Sequence, residues 1–300
     1  MPYGEPPWEW YRSFLQVLES GSLSAAARAL GLTQPTVGRH IGGLEAALGL
    51  GLFTRSPEGL APTDAALALQ PYARDIAATA AALRRAASGH GNGVQGTVRI
   101  TASEVVGVEV LPPILARLRA QHPRLAIELA LSNQPEDLLR READIAVRMF
   151  TPTQGALIAR RVGSIELGLH AHTDYLARHG TPTSVKALAQ HSLIGYDQEN
   201  AFILRMGEKL QGLGREHFSL RANSDLAQLA AIRAGYGLGI CQVPIAARDD
   251  RLVRVLERQV SLALDTWVVM HENLRSSPRC AVVFDALAAG LAAYMGWPRG

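Results

Sequence analysis

The chain has 300 residues, of which 48% are hydrophobic and 19% are charged, so it is too long for one ordinary domain and too apolar to be disordered. No stretch approaches the roughly 20 uninterrupted apolar residues of a membrane span, and the N-terminus lacks the pattern of a secretory signal, which together predict a soluble, cytoplasmic protein. Two cysteines that lie far apart in sequence, Cys241 and Cys280, form no disulfide framework and agree with a reducing compartment.

The net charge of +3 suggests a nucleic-acid partner, but the location of that charge matters. Residues 1–93 contain seven arginines and seven acidic residues, so this part of the chain is neutral and the whole excess lies beyond it. Charge alone therefore does not locate a DNA-binding segment.

The predicted elements begin with a helix over residues 10–20. The stretch SLSAAARALGLTQPTVGR, residues 22–39, then has the pattern of a helix-turn-helix. We expect Ser24 to cap a first short helix, Gly31 to end it in the left-handed conformation, and Thr33 to cap the second helix. The outward face of the second helix is available to read DNA.

A short, turn-rich piece from Leu52 to Pro62 follows and is interpreted as a wing. An alanine-rich helix is predicted next, over residues 64–88. Its apolar or small residues step alternately by three and four, at Ala66, Leu69, Ala73, Ile76, Ala80, Leu83 and Ala87. This spacing is typical of a coiled-coil seam, although a single helix with one buried face is the alternative. The glycine-rich run SGHGNG, residues 88–93, indicates a domain boundary.

Beyond the boundary, short β-rich runs such as VRIT, LAIELAL, DIAVRM and TWVVMH alternate with helical patterns, which predicts a parallel or mixed sheet covered on both faces. A helix after the last strand suggests that the chain returns to the half where it began. We therefore expect one lobe over 94–164 and 268–300 and another over 165–267. No Ser, His and acid set and no metal-ligand spacing stands out, so neither an enzyme nor a metal or cofactor site is predicted.

The stretch LEAALGLGLFTRSPEGLAPTDAA, residues 44–66, follows the predicted helix-turn-helix. Together these segments resemble the N-terminal module of the LysR-type transcriptional regulators, and the likeness extends loosely over nearly the whole chain. It implies an all-α winged helix-turn-helix domain (1–63), a linker helix that dimerises (64–88), a hinge (89–93) and a two-lobed α/β effector-binding domain (94–300) similar to type 2 periplasmic binding proteins. It also implies a homodimer or homotetramer that binds double-stranded DNA and a small-molecule effector.

The candidate DNA-binding residues lie on the second helix, its flanks and the wing. They are Ser24, Thr33, Gln34, Pro35, Thr36, Arg39, His40 and Arg55. Gln34 can read adenine and Arg39 can read guanine or hold a phosphate, whereas Ser24 and Thr33 have the alternative role of helix caps. Gly38, and also Gly42, stand where the resembling family commonly has polar or basic residues, which predicts few phosphate contacts and weak binding by a monomer.

The candidate effector-binding residues follow predicted strands. They are Thr101, Ser103, Asn133, Arg148, Phe150, Tyr196, Asn223 and Gln242. Hydroxyls and free N–H groups at a helix N-terminus form an anion cradle, and the resemblance implies an effector carboxylate there, so an organic acid is expected. Arg148 either faces such an effector or bridges to a local acid. Two alternatives stay open, namely a regulator switched by the thiol of Cys241 and a solute-binding protein without a regulatory role.

Overall fold

The computed structural model describes residues 5–56, 59–88, 93–133, 143–149, 157–198 and 213–296. Phe150 and most of the predicted hinge lie outside these residues. The chain divides into two compact units, the first ending at Ala87 and the second beginning at Ser88. Each unit buries a hydrophobic core of its own, as expected for separately packed modules.

Three helices build the N-terminal part of the first unit, namely α1 (Trp8–Ser20), α2 (Leu23–Leu30) and α3 (Gln34–Leu48). Their inward stripes meet in one core, to which α1 contributes Phe14 and α3 contributes Val37 and Ile41. Gly31 ends α2 with φ of 67°, a conformation that favours glycine. The predicted first helix and helix-turn-helix are therefore confirmed.

The start of α2 differs from the prediction. Ser22, not Ser24, is the N-cap: it has extended backbone angles, and its Oγ accepts a hydrogen bond from the N–H of Ala25 at 3.3 Å. Ser24 lies inside the first turn, where its side chain is exposed. The prediction for Ser24 as a cap was wrong because both serines precede the same apolar run, and only the backbone conformation distinguishes them.

The predicted wing is a two-stranded antiparallel ribbon of β1 (Phe53–Ser56) and β2 (Gly59–Pro62). Glu45 of α3 fixes its start, because Oε1 of that carboxylate accepts the N–H of Leu52 at 2.7 Å and of Phe53 at 3.3 Å. Leu52 is fully buried beside α3. The wing is thus anchored to the same helix whose exposed face is the candidate DNA reader.

Helix α4 (Asp64–Ser88) follows, capped by Thr63, whose Oγ1 accepts the N–H of Ala66 at 3.2 Å. Residues of the predicted seam are mostly buried in the first half of this helix and mostly exposed in the second half. Ala66 and Ala73 are buried in the core of the first unit, whereas Ile76 is 41% and Leu83 70% exposed. Only the second half of the seam is therefore open on the monomer.

The second unit contains a mixed sheet in the order β10-β6-β11-β5-β3-β4, with β9 also paired to β6, and a separate parallel pair, β7 with β8. In chain order the strands are β3 (Gly96–Ala102), β4 (Leu125–Leu131), β5 (Ile145–Arg148), β6 (Leu157–His172), β7 (Leu193–Gly195), β8 (Phe218–Arg221), β9 (Gly239–Gln242), β10 (Leu252–Val255) and β11 (Ser261–His271). Strands β4, β3 and β5 run parallel, so their carboxyl ends meet at one edge.

Two long strands, β6 and β11, connect the two halves of this unit. The start of β6 pairs only with the end of β11, which also pairs with β5, whereas the end of β6 pairs with β9 and β10. The register between them shifts at Thr266 and Trp267, opposite Gly163. These crossings lie beside the predicted lobe limits at residues 164 and 268.

The helices of the second unit cover the sheet. They are α5 (Glu104–Glu109), α6 (Leu111–Gln121), α7 (Thr173–His179), α8 (Asp225–Arg233), α9 (Val243–Ala246) and α10 (Pro278–Met295). By length and composition α10 alone among the described residues would fit a membrane span. Val283, Leu287 and Leu291 are nevertheless fully buried in the α/β core, which is what a core helix requires.

Candidate functional site

The exposed face of α3 begins at its N-terminus. Thr33 caps the helix, and its Oγ1 lies 3.4 Å from the N–H and 2.8 Å from Oγ1 of Thr36. Gln34, Pro35 and Arg39 are exposed on the same helix. Because the hydroxyls of Thr33 and Thr36 are engaged with each other, Gln34 and Arg39 are the side chains best placed to make new polar contacts.

His40 differs from the other predicted DNA-binding residues. It is half-buried, and its Nδ1 shares a hydrogen bond of 2.8 Å with Oγ of Ser13, a residue of α1 that is fully buried. One ring nitrogen is thus committed to holding α3 against α1. Arg55 lies exposed on β1 of the wing, where a cation can meet a phosphate.

Four predicted effector residues meet at the carboxyl ends of β3, β4 and β5. Ser103 is the N-cap residue of α5, and its Oγ is shielded from solvent without a hydrogen-bond partner among the described residues. Asn133 follows β4, and its Oδ1 accepts the N–H of Glu104 at 3.1 Å. One donor of the predicted anion cradle is therefore already occupied by Asn133.

Arg148 closes the base of this region. It is buried, and its Nη1 donates to the main-chain oxygens of Val147 at 2.9 Å and of Thr101 at 3.4 Å. Burial lowers the pKa of Arg148 to about 9, so its guanidinium still carries a positive charge at neutral pH. Thr101 is itself buried at the end of β3.

Carboxylates that the sequence analysis missed lie beside these residues. Oε2 of Glu104 accepts a hydrogen bond from Oγ of Ser224 at 3.0 Å, and the hydroxyl of Tyr196 donates to Oδ1 of Asp225. Burial raises the pKa of Asp225 and of Tyr196. Ser224 and Asp225 begin α8, so their pattern indicated only a helix cap followed by a first-turn acid, which is their usual role.

The two remaining predicted residues are placed differently from each other. Asn223 is exposed immediately before α8. Gln242 is buried at the end of β9, where its Oε1 accepts a hydrogen bond of 2.5 Å from the hydroxyl of Tyr294 on α10. The acceptor of Gln242 is thus engaged within the protein.

Cys241 is buried, with Sγ 3.4 Å from Nδ1 of His170. Burial raises the pKa of this thiol to about 12 and lowers the pKa of His170 to about 4. Both groups are therefore neutral at pH 7, and a neutral buried thiol is a poor nucleophile. The part of the chain that the structure describes holds no group of three or more potential metal-ligating His, Cys, Asp or Glu side chains.

These features define a class of protein in which a winged helix-turn-helix module is joined to a two-lobed α/β domain. Residues 8–67 match the model of the bacterial regulatory helix-turn-helix protein, lysR family, and residues 91–292 match the LysR substrate binding domain. The chain belongs to the LysR-type transcriptional regulators.

Individual proteins similar to this chain agree with that family. An HTH-type transcriptional regulator of Xanthomonas campestris is 32% identical over 178 residues, so the match spans 59% of this chain but only 52% of that protein. PgrR of Escherichia coli is 30% identical over 259 residues, which cover 82% of this chain and 85% of PgrR. Full-length CbnR, solved with its target DNA, has a TM-score of 0.67 at 20% identity and covers 95% of this chain and 99% of its own. The last likeness shows the fold, and the predicted fold class is confirmed.

Proposed function

We propose that this regulator acts in the cytoplasm, reads its operator through Gln34 and Arg39, and is controlled by a small molecule bound at the carboxyl ends of β3, β4 and β5, between the lobes. The observation that carries the DNA-binding part is the exposure of Gln34 and Arg39 on a helix whose N-terminus is capped by Thr33. The related fold of CbnR, whose structure was solved with its target DNA, supports it. Ser24, Thr33, Pro35, Thr36, His40 and Arg55 would position α3 and the wing on the backbone.

Footprinting on the intergenic DNA beside the protein's own gene tests this proposal. Gln34→Ala and Arg39→Ala should each lower affinity for the mapped site about 5- to 150-fold, the cost of about 1–3 kcal/mol for a lost base contact, and relax specificity at one position. Arg117→Ala is the matched control, because Arg117 is an exposed cation on α6 of the second unit. Equal losses in all three variants would contradict base reading by α3.

A homodimer or homotetramer is proposed through α4. Ile76 and Leu83 of the predicted seam are exposed on the monomer, and Tyr72 beside them is 68% exposed. Pairing would bury these side chains and place two recognition helices on one axis, about one or more DNA turns apart. Leu83→Gln should shift the mass measured by light scattering toward the monomer, whereas Leu67→Gln, at an exposed leucine off the seam, should not. A monomeric parent protein at micromolar concentration would overturn this proposal.

We propose further that the effector is an organic acid that also carries a hydroxyl or amine donor. The charge of Arg148 and the unpartnered Oγ of Ser103 favour a carboxylate. Glu104 and Asp225 instead require a donor from any group beside them. Tyr196, Asn223, Asn133, Thr101, Phe150 and Gln242 complete the proposed surroundings.

Matched compounds separate these requirements in a thermal-shift assay on the full-length protein. Propionate, lactate and alanine, or benzoate and 4-hydroxybenzoate, differ only in the added donor. We expect stabilisation only from members that carry both groups, because ligand binding to the folded state raises its melting temperature. A shift from a simple amine alone, or an equal shift from the plain acids, would contradict the proposed chemistry.

The other functional classes find less support. Activation of Cys241 as a thiol switch needs a thiolate, and burial opposes it. The relatives are transcriptional regulators rather than enzymes or solute carriers, which supports a regulatory, non-catalytic role for this chain.

A further inference from the structure

Helices α5 and α8 belong to different lobes, and polar contacts join them at both ends. At their N-terminal ends, Oγ of Ser224 donates to Oε2 of Glu104 at 3.0 Å. At their C-terminal ends, Nη1 and Nη2 of Arg233 donate to Oε1 and Oε2 of Glu109 at 2.7 and 3.0 Å. The second contact is bidentate, the geometry that gives an arginine–carboxylate pair its strength and direction.

A second cation reinforces the Glu109 end. Nη1 of Arg248, which follows α9 in the second lobe, donates to the main-chain oxygen of Glu109 at 2.7 Å. Its guanidinium also lies 5.3 Å from the ring centre of Tyr294, on α10 of the first lobe. Arg248 thus satisfies a carbonyl at the C-terminal end of α5 and places positive charge where the helix dipole favours it.

Solvent only partly reaches this cluster. The side chain of Glu109 is 20% exposed and that of Arg233 is 36% exposed. The hydrogen bond from Arg233 lowers the pKa of Glu109, so the carboxylate stays ionised at neutral pH. A paired charge that is partly shielded from water holds its partner more firmly than the fully exposed ion pairs on the surface.

The two ends of α5 have different neighbours. Glu104 lies among the proposed effector residues, next to Ser103, whereas Glu109 is five residues further along the helix, roughly 8 Å away along its axis. The Ser224 contact is a single hydrogen bond that a ligand can replace. The Glu109 contact is bidentate and lies away from the ligand, so it is suited to act as the point about which the lobes turn.

We propose that Glu109, Arg233 and Arg248 form an interlobe clasp that fixes the pivot between the lobes and thereby restricts the lobes to the effector-free and effector-bound arrangements. This inference rests on the proposed regulatory function. These three side chains are positioning residues, since they act on the effector site through α5 and α8 rather than by touching the ligand. Weakening the clasp lets the lobes adopt other arrangements and so lowers the combined population of these two, without any change in the residues proposed to bind DNA or effector.

The test uses the full-length protein and a transcriptional reporter driven by the intergenic DNA. Glu109→Gln and Arg233→Met break the clasp, and Arg233→Lys keeps a positive charge opposite Glu109 but loses the bidentate geometry. Arg99→Met is the matched control, because Arg99 pairs with Glu128 at 3.2 Å on neighbouring strands within one lobe. Protein level by immunoblot and half-maximal DNA binding are measured for each variant.

We expect both clasp-breaking variants to change reporter output without added effector at least threefold, while protein level and DNA affinity stay within twofold of the parent. Arg233→Lys should change output less than Arg233→Met does, and Arg99→Met should have no effect. Parental output from both clasp-breaking variants, an equal change from Arg99→Met, or a change from Arg233→Lys as large as that from Arg233→Met would each overturn the clasp.

Footprinting of the parent protein distinguishes this failure from failure of the proposed function. If the parent protein protects no DNA, the proposed regulatory function is refuted. The clasp is then tested by hydrogen exchange. In that measurement, amides of α5 and α8 should lose protection about tenfold in Arg233→Met and less in Arg233→Lys. Unchanged protection there would refute the clasp as well.

Discussion

Three glycines in the recognition helix provide a sharp test of how α3 packs. A Cβ at Gly42 would have no heavy atom of the described chain within 4 Å, whereas at Gly43 it would lie 2.6–2.9 Å from three atoms of the Trp10 ring. Gly42→Ala should therefore stabilise the first unit by about 1 kcal/mol, the helix-propensity gain. Gly43→Ala gains the same propensity but displaces the indole, at a cost of about 1–3 kcal/mol for overpacking.

Hydrogen exchange of the α3 amides measures this difference in the full-length protein. A gain of about 1 kcal/mol corresponds to roughly fivefold slower exchange and to about 4–8 °C in the transition of a unit this size. Gly38→Ala is a second control, since its Cβ would lie 3.9 Å from Cδ1 of Leu23. Trp10→Phe should restore the benefit of Gly43→Ala by making room. Equal stabilisation by Gly42→Ala and Gly43→Ala would refute the packing of Trp10 on α3.

Three further predictions concern capping, the buried thiol and pH. Ser22→Ala should destabilise α2 by about 1 kcal/mol, and Ser24→Ala by less than about 0.5 kcal/mol, as read from exchange of α2 amides; the opposite order would restore Ser24 as the cap. Cys241, with its pKa raised to about 12, should resist iodoacetamide at pH 8 in the folded protein, and rapid labelling detected by mass spectrometry would revive a thiol switch. Burial lowers the pKa of His170 in the folded protein to about 4 from its usual 6.5, so the unfolded chain binds more protons between these values and stability falls as pH drops from 6.5 to 4. The loss is about 2 kcal/mol at pH 5 relative to pH 7.5, and a parental pH dependence of the melting temperature in His170→Asn would contradict this assignment.

Local chemistry made the first unit predictable. Thr33 caps α3 because a short oxygen-bearing side chain before a helical stripe satisfies the N–H groups of its first turn, and that pattern is complete within four residues. The wing was predicted from turn residues that lie between apolar residues. The error at Ser24 has the same origin, since the local pattern allows either serine to cap and the fold decides between them.

The contacts that define the proposed effector site and the proposed clasp join residues far apart in sequence. Glu104 and Ser224 are separated by 120 residues, Glu109 and Arg233 by 124, and Tyr196 and Asp225 by 29. Four of these residues have an ordinary local explanation: Glu104 and Asp225 are first-turn acids, Ser224 is a cap and Arg233 is a last-turn cation. Periodicity predicted the strands and helices that carry them but not which helix faces which, because that depends on the crossing of β6 and β11.

The charges at the two ends of α5 constrain what an effector can do. Glu109 is neutralised by Arg233 within the protein. Among the described side chains, Glu104 receives only the hydroxyl of Ser224, and it lies near Asp225, whose pKa is raised by burial and by the charge of Glu104. A ligand that brings only negative charge to this end would strengthen the repulsion that already raises the Asp225 pKa. A ligand with a donor group would relieve that repulsion and replace Ser224 on Glu104, which would free α8 to turn about the proposed clasp. In the proposed mechanism, the same residues therefore couple the chemistry of the effector to the movement of the lobes.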